Sequence, residues 1–160
     1  MTIAVGDRIP DVQLRTMTNE GPKPVASSEV LGKGKVVLFA VPGAFTPTCS
    51  DHHLPGFVVR ADEIKAKGVD TIACIAVNDP FVMGAWGLDR GVGDSVLMLS
   101  DGNGEFTEAI GLEMDGSGFG LGRRSRRYAA ILQDGVVEAL FVEQKPGLDV
   151  SSAESVLSAL

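Results

Sequence analysis

The chain has 160 residues, 44% of them hydrophobic, and a formal charge of −7. That apolar content supports one substantial core in one domain, and the acidic balance argues against nucleic acid or an anionic membrane as a partner, because both require clustered basic surface. No apolar run approaches the roughly 18 residues of a transmembrane helix, and the amino terminus lacks a basic segment followed by an apolar stretch, so a cytoplasmic location is the default expectation.

In chain order, Asp11 to Leu14 reads as a short strand and Ser27 to Leu31 as a brief helical turn before Gly32. Val36 to Val41 is a continuous apolar, β-branched run of the kind found in a strand buried on both faces, and it stops at Pro42-Gly43. After Cys49, the apolar residues Leu54, Phe57, Val58, Ala61 and Ile64 recur at roughly helical spacing. Val69 to Val77 reads as a second buried strand. Asn78-Asp79-Pro80 has the cap-then-proline signature of a helix start, with the helix continuing through Trp86. Val96 to Leu99 is a third strand. Tyr128 to Leu132 and Val136 to Val142 flank Gln133-Asp134-Gly135, a hairpin signal. Ser151-Ser152-Ala153-Glu154 reads as a capping box before a short terminal helix, Ser155 to Leu160. Strands alternating with helices, then a hairpin and a last helix, predict an α/β domain with a mixed central sheet flanked by helices on both faces.

The chemistry concentrates at Cys49. This cysteine follows a buried strand and a Pro-Gly turn, so it falls near a helix start, among backbone N–H groups without intrahelical partners and at the positive end of a helix dipole. The nucleophilic form of cysteine is the thiolate, and an ordinary thiol of pKa about 8.5 is only about 3% ionised at neutral pH. A helix terminus supplies roughly 2 kcal/mol at best. An activated cysteine here therefore calls for a nearby cation as well.

The string Pro42-Gly43-Ala44-Phe45-Thr46-Pro47-Thr48-Cys49-Ser50 resembles the active-site motif of the peroxiredoxins, in particular their type II, or atypical, branch. The resemblance extends through His53-Leu54-Pro55-Gly56-Phe57, Val77-Asn78-Asp79, Ala85-Trp86 and Arg127 with Gln133-Asp134-Gly135, and so spans most of the chain. It implies a thioredoxin-like fold and a thiol-dependent peroxidase acting on hydrogen peroxide and alkyl hydroperoxides without a cofactor or metal. It assigns peroxide attack to Cys49, peroxide binding to Thr46 and backbone N–H groups, shielding to Pro42 and charge stabilisation to Arg127. The product would be a sulfenic acid at Cys49, to be reduced by another thiol. Of the run Arg123, Arg124, Arg126 and Arg127, only the resemblance selects Arg127, but strand alternation puts Arg126 and Arg127 on opposite faces, so at most one of the pair enters the site.

Cys74 carries two readings. In the middle of an apolar strand, a cysteine usually acts as a small hydrophobe. Some members of the resembled family carry a second cysteine 25 positions after the first, the interval from Cys49 to Cys74, so Cys74 is also a possible resolving residue. Other members have the resolving cysteine in a carboxy-terminal segment, and here Gly147 to Ser152 contains none. Glutaredoxin with glutathione, or thioredoxin, is the reductant the resemblance implies. It also implies a homodimer, with which exposed aromatics such as Phe45 or Phe119 are compatible. A dithiol exchange enzyme would want cysteine where Thr46 stands, but monothiol exchange stays open. A cysteine hydrolase would need a spatially separate histidine, whereas His52 and His53 lie within a turn of Cys49, and His53 reads as structural or supporting. The glycine-rich stretch Gly116 to Gly122 lacks nucleotide-loop spacing. A redox sensor or a holdase is the alternative outside catalysis.

Overall fold

The computed structural model describes residues 2–160. The strands in chain order are β1 (Gln13–Thr18), β2 (Gly21–Ala26), β3 (Lys35–Ala40), β4 (Thr71–Ala76), β5 (Leu97–Ser100), β6 (Glu113–Asp115), β7 (Arg123–Ser125), β8 (Tyr128–Gln133) and β9 (Val136–Val142). The helices are α1 (Ser27–Val30), α2 (Leu54–Val59), α3 (Ala61–Ala66), α4 (Pro80–Asp89), α5 (Glu105–Ile110) and α6 (Ala153–Ala159), with a π-helical turn at Cys49–His53 leading into α2.

Seven strands form one mixed sheet in the order β2-β1-β5-β4-β3-β8-β9. The pairs β3–β4 and β4–β5 are parallel, and β8 lies antiparallel to β3. Strand β3 is apolar throughout because both its faces are covered. Val37 and Phe39 join a core that includes Phe57 and Ile64, Met83 and Trp86, and Val156, from α2, α3, α4 and α6. Val36, Leu38 and Ala40 face the other core, which is completed by Leu31 after α1 and by Phe106 and Ile110 of α5. The expected sheet with helices on both faces is thus present.

Local signals explain most boundaries. Asp79 caps α4, its Oδ1 accepting from Val82 N at 2.9 Å, and Pro80 takes the first turn, where its missing N–H costs nothing. The β8–β9 hairpin turns through Asp134 and Gly135, both at positive φ, and the Asp134 carboxylate accepts from Gly34 N at 2.8 Å. Other readings need correcting. Strand β1 starts later and runs longer than Asp11 to Leu14. Strand β2, helix α5 and the β6–β7 pair were not anticipated. The last helix is capped by Ser152, whose Oγ accepts from Ser155 N at 3.2 Å, while Ser151 is buried and bonded elsewhere. The expected capping box is therefore out by one residue.

Candidate active site

Past β3 the chain leaves the sheet through Pro42-Gly43 and re-enters helix at residue 47. The loop is held at several points. Val41 N donates to Ile75 O at 3.2 Å, Ala44 N to Asn78 Oδ1 at 3.0 Å, and Arg124 Nη1 to Pro42 O at 3.3 Å. Phe45 adopts a positive φ of 65°, a conformation that costs a non-glycine residue on the order of 1–3 kcal/mol. The tight turn so formed leads into the helical run, which begins two residues before Cys49.

Cys49 opens the π-helical turn, in which Leu54 N donates to Cys49 O five residues back. Such turns are rare and cluster at functional sites. The next residue, Ser50, is buried and accepts a hydrogen bond from Trp86 Nε1 at 2.9 Å, which ties the turn to α4.

Arg127 precedes β8 on the same face as Ala129 and Ile131, the face that packs against Cys49. Its guanidinium is forked. Nη2 donates to Cys49 Sγ at 3.1 Å and Nη1 to His53 Nδ1 at 2.9 Å. Cys49 is fully buried and Arg127 only 9% exposed, so this charge acts on the sulfur with little solvent between them. Arg126 turns the other way, donating to Glu143 O at 3.0 Å. The expected alternation of the two arginines holds.

His53 is the residue whose part here was only loosely foreseen. Its Nε2 lies 2.9 Å from Ser151 O, which can only accept, so Nε2 carries the proton and Nδ1 keeps the lone pair that Arg127 needs. Burial between Phe39 and Phe57, reinforced by the charge of Arg127, lowers the His53 pKa from 6.5 to about 3. The ring is therefore a neutral acceptor that orients the arginine. Ser151 is itself held by Glu143, whose Oε2 accepts from Ser151 Oγ at 2.7 Å and Ser151 N at 2.9 Å. His53 lies one helical turn beyond the nucleophile, a spacing that could have marked it; the sequence marks Ser151 only as a helix cap and Glu143 not at all.

Pro42 and Thr46 lie on the loop that leads from β3 to the Cys49 turn. Thr46 is near the helix start, but its hydroxyl donates to Gly43 O at 2.6 Å rather than to the sulfur, leaving its lone pairs as acceptors. Pro42 lies partly exposed at the strand exit, and a side chain on Gly43 would press on both Arg124 and Thr46, at 3.1 Å from each. Cys74 is different. It is fully buried in β4, paired to Phe39 on one side and Met98 on the other, and burial, with the nearby Cys49, pushes its pKa well above the ordinary thiol value.

The chain as a whole is similar to proteins of known class. Residues 4–157 match the Redoxin family model. Peroxiredoxin-2E, chloroplastic, of Arabidopsis thaliana is 52% identical across 99% of this chain and 70% of its own length. Peroxiredoxin-2B of the same plant is 49% identical across 99% of this chain and 98% of its own. The structure of reduced Prx3 from Vibrio vulnificus in complex with H2O2 superposes with a TM-score of 0.94 at 52% identity, covering 99% of both chains. A buried cysteine with an arginine on its sulfur, on a thioredoxin-like sheet, thus agrees with sequence similarity over nearly the whole length: the chain belongs to the Redoxin family and, within it, to the type II peroxiredoxins, which are thiol-dependent peroxidases.

Proposed function

We propose that this chain reduces hydrogen peroxide and alkyl hydroperoxides at Cys49 and is recycled by an external thiol, glutaredoxin with glutathione being the preferred system. The observation that carries this reading is the 3.1 Å contact between Arg127 Nη2 and Cys49 Sγ. A permanent cation with planar donors stabilises the thiolate and then the charge that moves onto the peroxide oxygens. The sulfur attacks one oxygen, the O–O bond breaks, Cys49 becomes a sulfenic acid, and the departing oxygen leaves as alkoxide or hydroxide and takes up a proton. Thr46, whose own proton is engaged by Gly43 O, accepts a hydrogen bond from the hydroperoxide O–H. Pro42, next to the strand exit, takes the shielding role that the resemblance assigns to it.

A first external thiol condenses with the sulfenic acid, releasing water and leaving a mixed disulfide; a second thiol attacks that bond and restores Cys49. Two features support an external partner over Cys74. Cys74 is fully buried on the central strand β4, with a strand paired on each side, which holds its backbone in the middle of the sheet. Its raised pKa also keeps it protonated and a poor nucleophile. Because Cys49 is fully buried, a protein thiol reaches it only once the turn Cys49–His53 unwinds. Self-association through Phe45 and Phe119, 49% and 87% exposed, belongs to the same reading.

The test is dimedone labelling after one equivalent of peroxide. The label is expected on Cys49, absent in Cys49→Ser, and suppressed by prior addition of glutathione with glutaredoxin. Peroxide consumption that survives Cys49→Ser would defeat the proposal, and stoichiometric oxidation without turnover in any thiol system would favour a sensor.

A further inference from the structure

The loop between β9 and α6 sends one of its residues into the site without touching the sulfur. Ser151, fully buried, presents its carbonyl to His53 Nε2 at 2.9 Å. What shapes that loop is Glu143. Three donors converge on its Oε2: Asp149 N at 2.8 Å, Ser151 N at 2.9 Å and Ser151 Oγ at 2.7 Å. Its backbone is anchored too, since Glu143 N donates to Arg127 O at 3.0 Å and Glu143 O accepts from Arg126 Nη2 at 3.0 Å. One residue therefore fixes both the strand that follows Arg127 and the carbonyl that faces His53.

The consequence runs through the imidazole. A neutral histidine has one N–H and one lone pair, and Arg127 needs the lone pair on Nδ1. With Ser151 O in place, the proton belongs on Nε2. Without it, the other tautomer would set Nδ1–H against the arginine N–H, two donors facing each other, and the guanidinium would turn from the ring and from Cys49. We propose that Glu143 is a positioning residue for the peroxidase reaction: it holds Ser151 O so that His53 keeps the Nε2–H tautomer and Arg127 stays on the Cys49 sulfur. The role rests on Cys49 being the reactive thiol, but its central readout does not.

That readout is the nitrogen chemical shifts of the imidazole. Only His52 and His53 are present, and His52 is exposed and can be replaced by Gln to leave a single signal. The wild-type protein is expected to show His53 protonated at Nε2 alone at neutral pH; an Nδ1–H tautomer there overturns the proposal. Glu143→Ala should give mixed tautomers, a roughly tenfold fall in peroxide kcat/KM and a parallel fall in the rate of Cys49 alkylation. Glu143→Gln keeps an acceptor oxygen without the charge and should restore part of both. Glu143→Ala with the Nε2–H signal intact and rates within about twofold sinks the idea. Should Glu143→Ala fail to fold, the wild-type tautomer and Glu143→Gln decide the matter. Loss of the proposal in this way leaves the Cys49→Ser result untouched, so the two failures are separable.

Discussion

Arg127→Lys is the substitution that separates charge from geometry at this site. Lysine keeps the positive charge but replaces a planar fork by one ammonium, which cannot hold both His53 Nδ1 and Cys49 Sγ where the guanidinium reaches them at 2.9 and 3.1 Å. The bond whose loss bears on the reaction is the one to sulfur. A hydrogen bond to a charged group contributes about 1.5–3 kcal/mol, and at about 1.36 kcal/mol per factor of ten the variant should lose roughly 10- to 150-fold in peroxide kcat/KM. Arg127→Ala should lose more, because it also strips the charge and leaves the buried His53 lone pair without a donor. The assay is single-turnover oxidation by hydrogen peroxide, with iodoacetamide alkylation as a measure of thiolate that is independent of peroxide binding. Arg127→Lys within threefold of wild type in both measurements would refute the claim that the forked geometry, and not charge alone, activates the cysteine.

Two further outcomes are expected. Cys74→Ser should keep most of its glutaredoxin-coupled turnover while losing about 1–3 kcal/mol of stability for an unpartnered buried hydroxyl; loss of nearly all turnover, with a Cys49–Cys74 disulfide seen by mass spectrometry in the wild type, contradicts this. His53 should make stability pH-dependent. Its folded pKa of about 3 lies below the ordinary 6.5, so between these values the unfolded chain binds the extra proton, and the contribution is complete above pH 6.5 and declines as pH falls toward 3. From pH 7 to pH 5 this amounts to about 2 kcal/mol, measurable by urea unfolding, and His53→Gln should flatten that slope.

The buried strands were legible because a run such as Val36 to Ala40 has one physical meaning when it is short, β-branched and followed by Pro-Gly. Strand β2 was not, since Pro22 and Pro24 read as breakers; both are tolerated because β2 is an edge strand paired only to β1. Helix α5 is six residues between two left-handed glycines, Gly104 and Gly111, too short to show a period. At the site, Cys49 and Arg127 were found through a motif, but the motif carries no directions. It could not say that the Thr46 proton goes to Gly43, or that His53 reaches Ser151 across 98 positions of sequence. The one-residue error at α6 has the same origin. Locally Ser151, three residues before Glu154, fits the capping box better than Ser152, and only Glu143, from another part of the chain, assigns Ser151 to the interior.

Trp86 gives this protein a built-in optical gauge. It is the sole tryptophan, fully buried, and its indole N–H is bound to the hydroxyl of the residue that follows Cys49. Any departure of that turn from its seat must break the indole bond and admit water beside the ring. Emission from a single unmodified chromophore therefore times how often the reactive sulfur becomes reachable, with no label attached and no substrate added.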